Sequence, residues 1–276
     1  MLIAQITDTH IRAPGRLAYR QVDTAACLSA AVASLQECRA PLDAVIVTGD
    51  LVDAGTEAEY DHYLGLMAPL RVPVFALPGN HDTVDGFRRA FAARLPLNRE
   101  GDNSYAVDIG EVRLAMLDST VPGQSHGLLS ADRARWLDAT LAAAPERPTL
   151  LALHHPPFET GIRHMDIQNC HGSEALQAIL LQHPQVLAVV SGHVHRSIMT
   201  TFAGRTASIA PSTAHAVSLD LDPEGPPAFQ MEPPGYHLHV VAADGGPHGR
   251  IVTHRVPIGR FAGPFPFFEP DGRLID

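Results

Sequence analysis

Asp, Asn and His side chains follow five short apolar runs, in patterns that suit the binding of divalent cations. They stand in the segments Asp8-Thr9-His10, Gly49-Asp50-Leu51-Val52-Asp53, Gly79-Asn80-His81-Asp82, His154-His155 and Gly192-His193-Val194-His195. Carboxylate and amide oxygens and imidazole nitrogens, without a thiolate, suit ions such as manganese, iron, cobalt or zinc. Residues i and i+2 of an extended chain point the same way, so Asp8 with His10 offers one pair of ligands. His193 with His195 offers another.

Seven of these residues are candidate ligands, which is more than one tetrahedral ion requires. They are Asp8, His10, Asp50, Asn80, His154, His193 and His195. That number suits two ions that share one carboxylate and keep positions for water or substrate. Glycine directly precedes three of the ligand candidates, as expected where a backbone turns tightly toward a site. We therefore predict two divalent metal ions per chain.

Composition agrees with metal chemistry in a globular protein and disfavours a polyanionic partner. The chain of 276 residues has 45% hydrophobic and 18% charged residues, which excludes a disordered or fibrous protein. It contains 16 histidines, and its formal charge is −10. Because long nucleic acids are held mainly by Lys and Arg on phosphates, such a partner is not expected.

Three cysteines without CxxC spacing indicate neither a disulfide framework nor a zinc knuckle. They suggest buried thiols in a reducing compartment. The N-terminal residues lack a basic region and a cleavage site, and no uncharged apolar run reaches eighteen residues. We therefore expect a cytoplasmic protein without membrane association.

The elements that must position the ligands alternate between strands and helices. Near-continuous apolar runs predict strands buried on both faces at Leu2–Thr7, Ala44–Thr48, Val72–Leu77, Val112–Leu117, Thr149–Leu153 and Val186–Val190. Helical spacing predicts helices at Thr24–Cys38, Glu57–Met67, Ser130–Ala143 and Ser173–Leu181, with Ser130 and Ser173 as N-caps. This alternation predicts an α/β fold with a largely parallel sheet. Ligand groups gather at the carboxyl ends of strands in such sheets, so five strand ends should converge on one crevice.

Two hairpins could belong to a second sheet. They are predicted at Asn103–Asp108 with Val112–Leu117, and at Ile198–Phe202 with Thr206–Ala210. The pattern weakens after Ala210, where prolines interrupt the chain. We therefore predict a catalytic core at residues 1–210 and a cap or oligomerisation segment at residues 211–276 that completes the fold.

The ordered ligand segments resemble the calcineurin-like metallophosphoesterase superfamily, because all five motifs are present without a missing ligand. The His154-His155-Pro156-Pro157 motif and the closing Phe261-Ala262-Gly263-Pro264 further resemble its bacterial branch of cyclic-nucleotide and glycerophosphodiester phosphodiesterases. This resemblance implies a four-layer αββα sandwich, two β-sheets between helices. It also implies hydrolysis of a phosphodiester by hydroxide bound to two ions.

The resemblance implies a role for each matching residue. It assigns Asp8, His10, Asp50 and His195 to one ion and Asp50, Asn80, His154 and His193 to the other. The catalytic residues would be the bridging Asp50 and His81, which would donate a hydrogen bond or proton to the phosphate or leaving group. Asp53 and Asp82 are expected to orient the ligands. The family ligand directly follows the strand and matches His154, so His155 is expected to support the ligands from behind.

Other side chains leave alternatives open. His164 and Asp166 lie in the loop after the HHPP motif, where they either contact substrate or face solvent. His215, His237, His239, His248 and His254 are interpreted as surface or interface residues. Phe261, Phe265, Phe267 and Phe268 either cover the crevice or form a dimer interface, and we expect a homo-oligomer.

The substrate also stays open between 3′,5′-cyclic nucleotides such as cAMP and glycerophosphodiesters. The same metal core can serve a phosphomonoesterase if the pocket admits a dianion. A metal-free scaffold is a rival from another class, because some superfamily members use the fold only for protein interaction. Those members have lost ligands, whereas this chain retains all seven.

Overall fold

The computed structural model describes residues 1–98, 102–242 and 248–275. The helices in these ranges are α1 (Thr24–Gln36), α2 (Glu57–Met67), α3 (Val84–Phe91), α4 (Ala131–Ala142), α5 (Arg163–Asp166) and α6 (Ser173–Gln182). The strands are β1 (Leu2–Ile6), β2 (Ala44–Thr48), β3 (Val74–Leu77), β4 (Tyr105–Ile109), β5 (Val112–Leu117), β6 (Gly127–Leu128), β7 (Thr149–Leu153), β8 (Cys170–His171), β9 (Val186–Ser191), β10 (Ile198–Phe202), β11 (Arg205–Ile209), β12 (Ala216–Val217), β13 (Phe229–Gln230), β14 (Gly235–Ala242) and β15 (Arg250–Pro257).

Two mixed sheets form the centre of the fold. Sheet one has the order β15-β14-β1-β2-β3, and sheet two has the order β10-β11-β9-β7-β5-β4. The strands β1, β2 and β3 are parallel, as are β5, β7, β9 and β11. Antiparallel strands flank both parallel sets. The carboxyl ends of β1, β2, β3, β7 and β9 therefore carry the candidate ligands.

Side-chain alternation explains why the sheets are stacked between helices. In β5, Leu114 and Met116 pack in the same cluster as Ile3 and Ile46 of sheet one, so they face the other sheet. The alternate residue Leu117 packs instead with Leu137 of α4. Helices α1 and α2 cover the opposite face of sheet one, and α4 and α6 cover that of sheet two. The resulting αββα sandwich confirms the four-layer fold.

The helix ends follow local chemistry. Ser130 accepts a hydrogen bond from the Arg133 backbone N–H, which confirms its predicted role as an N-cap. Ser173 is instead the first residue of α6, and the preceding Gly172 has a φ of 84°. Sequence periodicity missed the eight-residue α3, whose cap is the Thr83 side chain. It also missed the single turn α5.

The C-terminal segment supplies two strands of sheet one. Strand β14 pairs with β1 along its length, and β15 pairs with β14. His237 and His239 of β14 are buried between the sheets, so their interpretation as surface or interface residues was wrong. The apolar periodicity of this strand is broken by these two imidazoles, which find hydrogen-bond partners inside. The boundary at residue 210 stays a prediction, and residues 243–247 and 276 of the segment lie outside the described ranges.

Among residues 1–98, 102–242 and 248–275, no helix combines the length and apolarity that crossing a bilayer requires.

Candidate metal centre

The seven candidate ligands converge where the two sheets meet. Asp8 and His10 follow β1, Asp50 follows β2, and Asn80 follows β3, so sheet one contributes four of them. His154 follows β7, and His193 and His195 follow β9, so sheet two contributes three. The six His and Asp side chains among them are all at least nine-tenths buried. The strand ends therefore bring the ligands together as predicted.

The first cluster consists of Asp8, His10, Asp50 and His195, whose donor atoms lie within 4.8 Å of one another. The Nε2 atoms of His10 and His195 are 3.1 Å apart. Asp50 Oδ2 lies 3.5 Å from His10 Nε2, and Asp8 Oδ1 lies 3.4 Å from His195 Nε2. This is the same set that the resemblance assigned to one ion.

Hydrogen bonds at Nδ1 of the His10 and His195 rings determine whether Nε2 carries a proton or a lone pair. His10 Nδ1 lies 3.2 Å from Asp53 Oδ1, and His195 Nδ1 lies 3.2 Å from the backbone oxygen of His215. Both partners are acceptors, so in a neutral ring Nδ1 carries the proton and Nε2 presents a lone pair. Two nitrogen lone pairs and two carboxylates then face one another without a donor between them. Only a cation, a proton or a metal ion, resolves this arrangement.

The second cluster has the same property. His154 Nδ1 donates to the backbone oxygen of Thr48 at 2.8 Å, so Nε2 presents its lone pair. That Nε2 lies 3.1 Å from Asn80 Oδ1 and 3.4 Å from Asp50 Oδ2. The Nε2 atom of His193 is buried and has no hydrogen-bond partner in the described part of the chain. Asp50 thus lies between the two clusters, as a bridging carboxylate must.

In the ion-free protein, the close approach of these buried groups shifts their pKa values. Burial lowers the pKa of His154, but the Asp50 carboxylate outweighs it, and the pKa of His154 rises to about 9. Burial and the Asp50 charge raise the pKa of Asp8 to about 6, although His154 opposes the shift. Burial and the His154 charge lower the pKa of His193 to about 3. Protons thus partly substitute for the positive charge that a metal ion supplies.

Backbone strain also concentrates at this site. The residues Asp8, His10, Asp50, His193 and His195 all have φ between 44° and 74°, although none is glycine. This left-handed region costs a non-glycine residue about 1 kcal/mol or more, and it persists where the surroundings over-determine it. Five of the eight described non-glycine residues with positive φ are candidate ligands. The strain turns each side chain back toward the centre.

Two glycines leave room for the ligands themselves. A Cβ on Gly79 would lie 2.2 Å from Asp50 Oδ1, and one on Gly49 would lie 2.3 Å from His154 Nδ1. Gly49 also has a φ of 95°, which side chains disfavour. The glycines that precede ligand candidates in the sequence are therefore required by close approach of the ligands.

Asp53 and Asp82 belong to neither ligand cluster, but they form hydrogen bonds with residues of the segments that carry the candidate ligands. Asp53 accepts from His10 and forms an ion pair with Arg12, and despite partial burial these contacts lower its pKa to about 2. Asp82 accepts from the backbone N–H groups of Leu51 and Gly79 and from the hydroxyl of Tyr60. Burial and the Asp50 charge raise the pKa of Asp82 to about 6. Both carboxylates orient the loops that carry ligands.

His81 lies at the edge of the first cluster, and 34% of its side chain is exposed. Its backbone N–H donates to Asp50 Oδ1 at 2.9 Å, and its Nδ1 donates to the backbone oxygen of Asp53 at 2.9 Å. The neutral ring therefore presents an unprotonated Nε2. Donation to a phosphate or leaving group from Nε2 requires a second proton on the ring, and Asp53 Oδ1 lies 3.7 Å from His81 Nδ1.

The other predicted residues are placed differently. His155 is buried with its Nδ1 2.8 Å from Ser119 Oγ, and its nitrogen atoms group with those of His154 and His193. His164 lines the crevice. The Asp166 carboxylate accepts from Thr160 and Gly161 within its own loop and does not line the crevice. The structure therefore does not bring Asp166 to the centre.

The crevice above the ligands has a volume of about 300 Å³ and an aromatic wall. We define this wall as Tyr19, His215 and Phe229. The ring centres of Tyr19 and Phe229 are 4.8 Å apart with the rings tilted by 32°, and the centre of the His215 ring lies 5.3 Å from each. Tyr19 is 49% exposed and has a φ of 50°.

Sequence reasoning did not identify this wall, and it misplaced His215. That residue is 3% exposed, and its ring lies 4.6 Å from the ring of His195, so its interpretation as a surface residue was wrong. Its place follows from the turn after β11, where Ser212 donates to the backbone oxygen of Asp8. No spacing motif marks such a contact between residues 204 positions apart.

Comparisons with known proteins agree with this geometry. The family model for calcineurin-like phosphoesterases matches residues 1–197, which include every candidate ligand. The probable glycerophosphodiester phosphodiesterase GpdQ of Arcobacter nitrofigilis is 38% identical over the full length of both chains. The 3′,5′-cyclic adenosine monophosphate phosphodiesterase CpdA of Escherichia coli K12 is 34% identical over 81% of this chain and 82% of that protein.

A solved structure extends the similarity to the fold. The dimetal phosphatase from Danio rerio has a TM-score of 0.62 at 15% identity and covers 94% of this chain and 99% of its own. At 15% identity, this structural similarity shows a shared fold and nothing more. Membership of a family is shown by the sequence, through the match of residues 1–197 and the two bacterial relatives. The chain belongs to the calcineurin-like phosphoesterase family.

Proposed function

We propose that the protein hydrolyses small phosphodiesters with two divalent ions, held by the two ligand clusters. The observation that carries this proposal is the convergence of acceptors. When the rings are neutral, the Nε2 lone pairs of His10, His154 and His195 face the carboxylates of Asp8 and Asp50 with no donor among them. A buried cluster of this kind is stable as a site for cations. Asp50 would contact both ions, and Asn80 and His193 would complete the second site.

The bound ions would lower the pKa of water and neutralise the charge of the phosphodiester. The chain's own residues perform the remaining tasks. Asp53 and Thr48 hold the rings of His10 and His154 in the tautomer that leaves Nε2 free. His81, anchored through Nδ1 on the Asp53 backbone, would donate a proton from Nε2 to the leaving oxygen.

The crevice supports a small substrate. Its volume of about 300 Å³ lies at the lower end of small-molecule sites. The formal charge of −10 disfavours a long polyanion. The relatives are named for glycerophosphodiesters and for cyclic adenosine monophosphate, so both classes are candidate substrates.

A substrate panel tests the proposal. Protein stripped with a chelator is supplied with manganese, iron, cobalt or zinc and assayed with cyclic AMP, cyclic GMP, glycerophosphoethanolamine and bis-nitrophenyl phosphate. We expect two ions per chain and hydrolysis of diesters faster than of nitrophenyl phosphate. Faster hydrolysis of the monoester would favour a phosphomonoesterase. Less than one ion per chain with no hydrolysis would favour a scaffold.

The C-terminal phenylalanines support self-association. Phe261, Phe265, Phe267 and Phe268 are 58–78% exposed and do not line the crevice of their own chain. An apolar surface of this kind is covered in most proteins by a partner. We propose a homo-oligomer, which sedimentation of the full chain and of a Phe265→Ser/Phe267→Ser variant tests. The cytoplasmic location stays a prediction.

A further inference from the structure

We infer that Gln5, oriented by His239, is a positioning residue that fixes the two halves of the metal centre against each other. The inference rests on the proposed function, because it concerns the same centre. Gln5 belongs to none of the sequence motifs. It lies on β1, three residues before Asp8, and is 0% exposed.

The need for such a residue follows from how the ligands are distributed. Each ligand set takes residues from both sheets, since Asp8, Asp50 and Asn80 come from sheet one and His154 and His193 from sheet two. A displacement of one sheet against the other would change the separation of ligands in both sets. Groups that link the sheets close to the ligands therefore control the geometry of the centre.

Gln5 makes such a link with its side-chain amide. Its Nε2 donates to Thr48 Oγ1 at 3.0 Å and to the backbone oxygen of Ser191 at 3.0 Å. Thr48 is the last residue of β2, two positions before Asp50, and Ser191 is the last of β9, two positions before His193. One amide group therefore joins the strand ends that carry ligands from opposite sheets.

His239 decides which way that amide points. Its Nε2 lies 3.1 Å from Gln5 Oε1, and its Nδ1 lies 2.8 Å from Thr253 Oγ1. Because Gln5 Oε1 accepts only, His239 Nε2 carries the proton and Nδ1 accepts from the Thr253 hydroxyl. Burial and the neighbouring His237 lower the pKa of His239 to about 3, which keeps this ring neutral. Every polar atom of the Gln5 side chain thus has a defined partner.

The register of the sheet places the whole chain of contacts on one face. His237 is paired with Gln5 and His239 with Ile3, so all four side chains point toward sheet two. His237 forms a parallel link, with its Nε2 3.1 Å from Oγ of Ser197, two residues after His195. The C-terminal strands β14 and β15 therefore take part in positioning ligands that lie in the first 195 residues.

Ion affinity provides the first test. Chelated wild-type, Gln5→Leu, His239→Leu and His239→Gln proteins are titrated with Co²⁺ in a calorimeter. We expect Gln5→Leu and His239→Leu to bind Co²⁺ about 10–100-fold more weakly, as when other groups that orient metal ligands are lost. His239→Gln can still donate to Gln5 Oε1 and should recover most of the affinity.

Tyr105→Phe is the matched control. It removes another buried hydrogen bond between the sheets, from Tyr105 Oη to the backbone oxygen of Ala76 at 2.8 Å, four residues from the nearest candidate ligand. Its stability should fall as in Gln5→Leu while its Co²⁺ affinity stays within about threefold of wild type, because it does not contact a strand end next to a ligand. Equal losses of affinity in the two variants would overturn the positioning role.

Amide hydrogen exchange of the ion-free proteins gives a readout that does not need bound metal. Gln5→Leu should speed exchange at His193, whose N–H donates to Asp8, and Tyr105→Phe should not. Unchanged exchange at His193 would contradict the inference even if Co²⁺ binds. A wild-type chain that binds no Co²⁺ would overturn the proposed function, and the exchange result would still decide whether Gln5 positions these loops.

Discussion

The seven candidate ligands all lie within residues 1–195, whereas the wall that faces them is built largely from residues 211–230. The ligands are buried, polar and held in strained backbone. The wall is aromatic, and Tyr19 at its edge is half exposed. We propose that the two regions have separate tasks: residues 1–195 would hold the ions, and the wall would shape the crevice that a substrate enters.

The separation predicts different kinetic effects for substitutions in the two regions. Changes among the ligands should reduce turnover of every substrate alike, because all substrates depend on the same centre. Changes in the wall should alter KM and the preference between substrates. Changes at His239 of β14 should act on stability as well as on ion affinity, because its buried ring contacts Gln5 between the sheets.

Asp50→Ala is expected to have the largest effect. Asp50 Oδ2 lies within 3.5 Å of both His10 Nε2 and His154 Nε2, so its loss removes a ligand from each ion. We expect less than one ion per chain and a loss of about 4 kcal/mol or more of transition-state stabilisation, about a thousandfold in rate. Metal analysis and turnover of cyclic AMP and bis-nitrophenyl phosphate measure both.

Asn80→Ala is the control for the proposed bridging role of Asp50, because it removes a candidate ligand of one ion only. Asn80 lies near His154 in the second cluster and contributes to one ligand set. It should keep one ion per chain and lose less activity than Asp50→Ala. Two ions retained in Asp50→Ala would contradict the shared-carboxylate arrangement.

His81→Ala should keep both ions and slow turnover by about a hundredfold, the lower range for loss of a general acid. The side chain is anchored on the Asp53 backbone and lies beside the ligand set without completing it. Alkyl leaving groups need a proton more than nitrophenolate does, so the loss should be larger for glycerophosphoethanolamine than for bis-nitrophenyl phosphate. An equal loss for both would show that His81 acts through binding of the phosphate.

His239, which is buried on β14 between the two sheets, should make the stability of the fold sensitive to acid. Its folded pKa of about 3 lies below its ordinary value of 6.5, mainly through burial. Below pH 6.5 His239 therefore binds a proton in the unfolded chain but not in the folded chain. The free energy of unfolding falls as the pH decreases toward 3. The cost for this one group is about 2 kcal/mol between pH 6.5 and 4.5.

Urea unfolding of the ion-free protein at several pH values checks this. His239→Gln should reduce the loss of stability over that range, while burial of His237 preserves a part of it. His254→Gln is the matched control, since His254 is exposed on the neighbouring strand β15 and pairs with Leu238. If His239→Gln and His254→Gln change the pH dependence equally, the buried imidazole is not its source.

The same two regions explain what could be predicted from the sequence. Strands β2, β5 and β7 were predicted with their observed ends, because strands buried on both faces are uninterrupted apolar runs. The candidate ligands could be named because each lies within four residues after the end of a strand and because their order resembles a known family. His215, His237 and Phe229 were not recognised, since their positions depend on strand pairing and turns between distant segments. Neither helical nor strand periodicity records those contacts.

Phe229→Ala should have the smallest effect on activity among these substitutions, and its effect should depend most strongly on the substrate. It removes the ring whose centre lies 4.8 Å from that of Tyr19, a contact worth about 0.5–1.5 kcal/mol. If a flat leaving group rests against this wall, KM for cyclic AMP should rise about 2–10-fold and that for glycerophosphoethanolamine should hardly change. Phe265→Ala, in the exposed tail, should leave both KM values unchanged. A Phe229→Ala protein that loses turnover equally for both substrates would place the wall among the elements that support the ions.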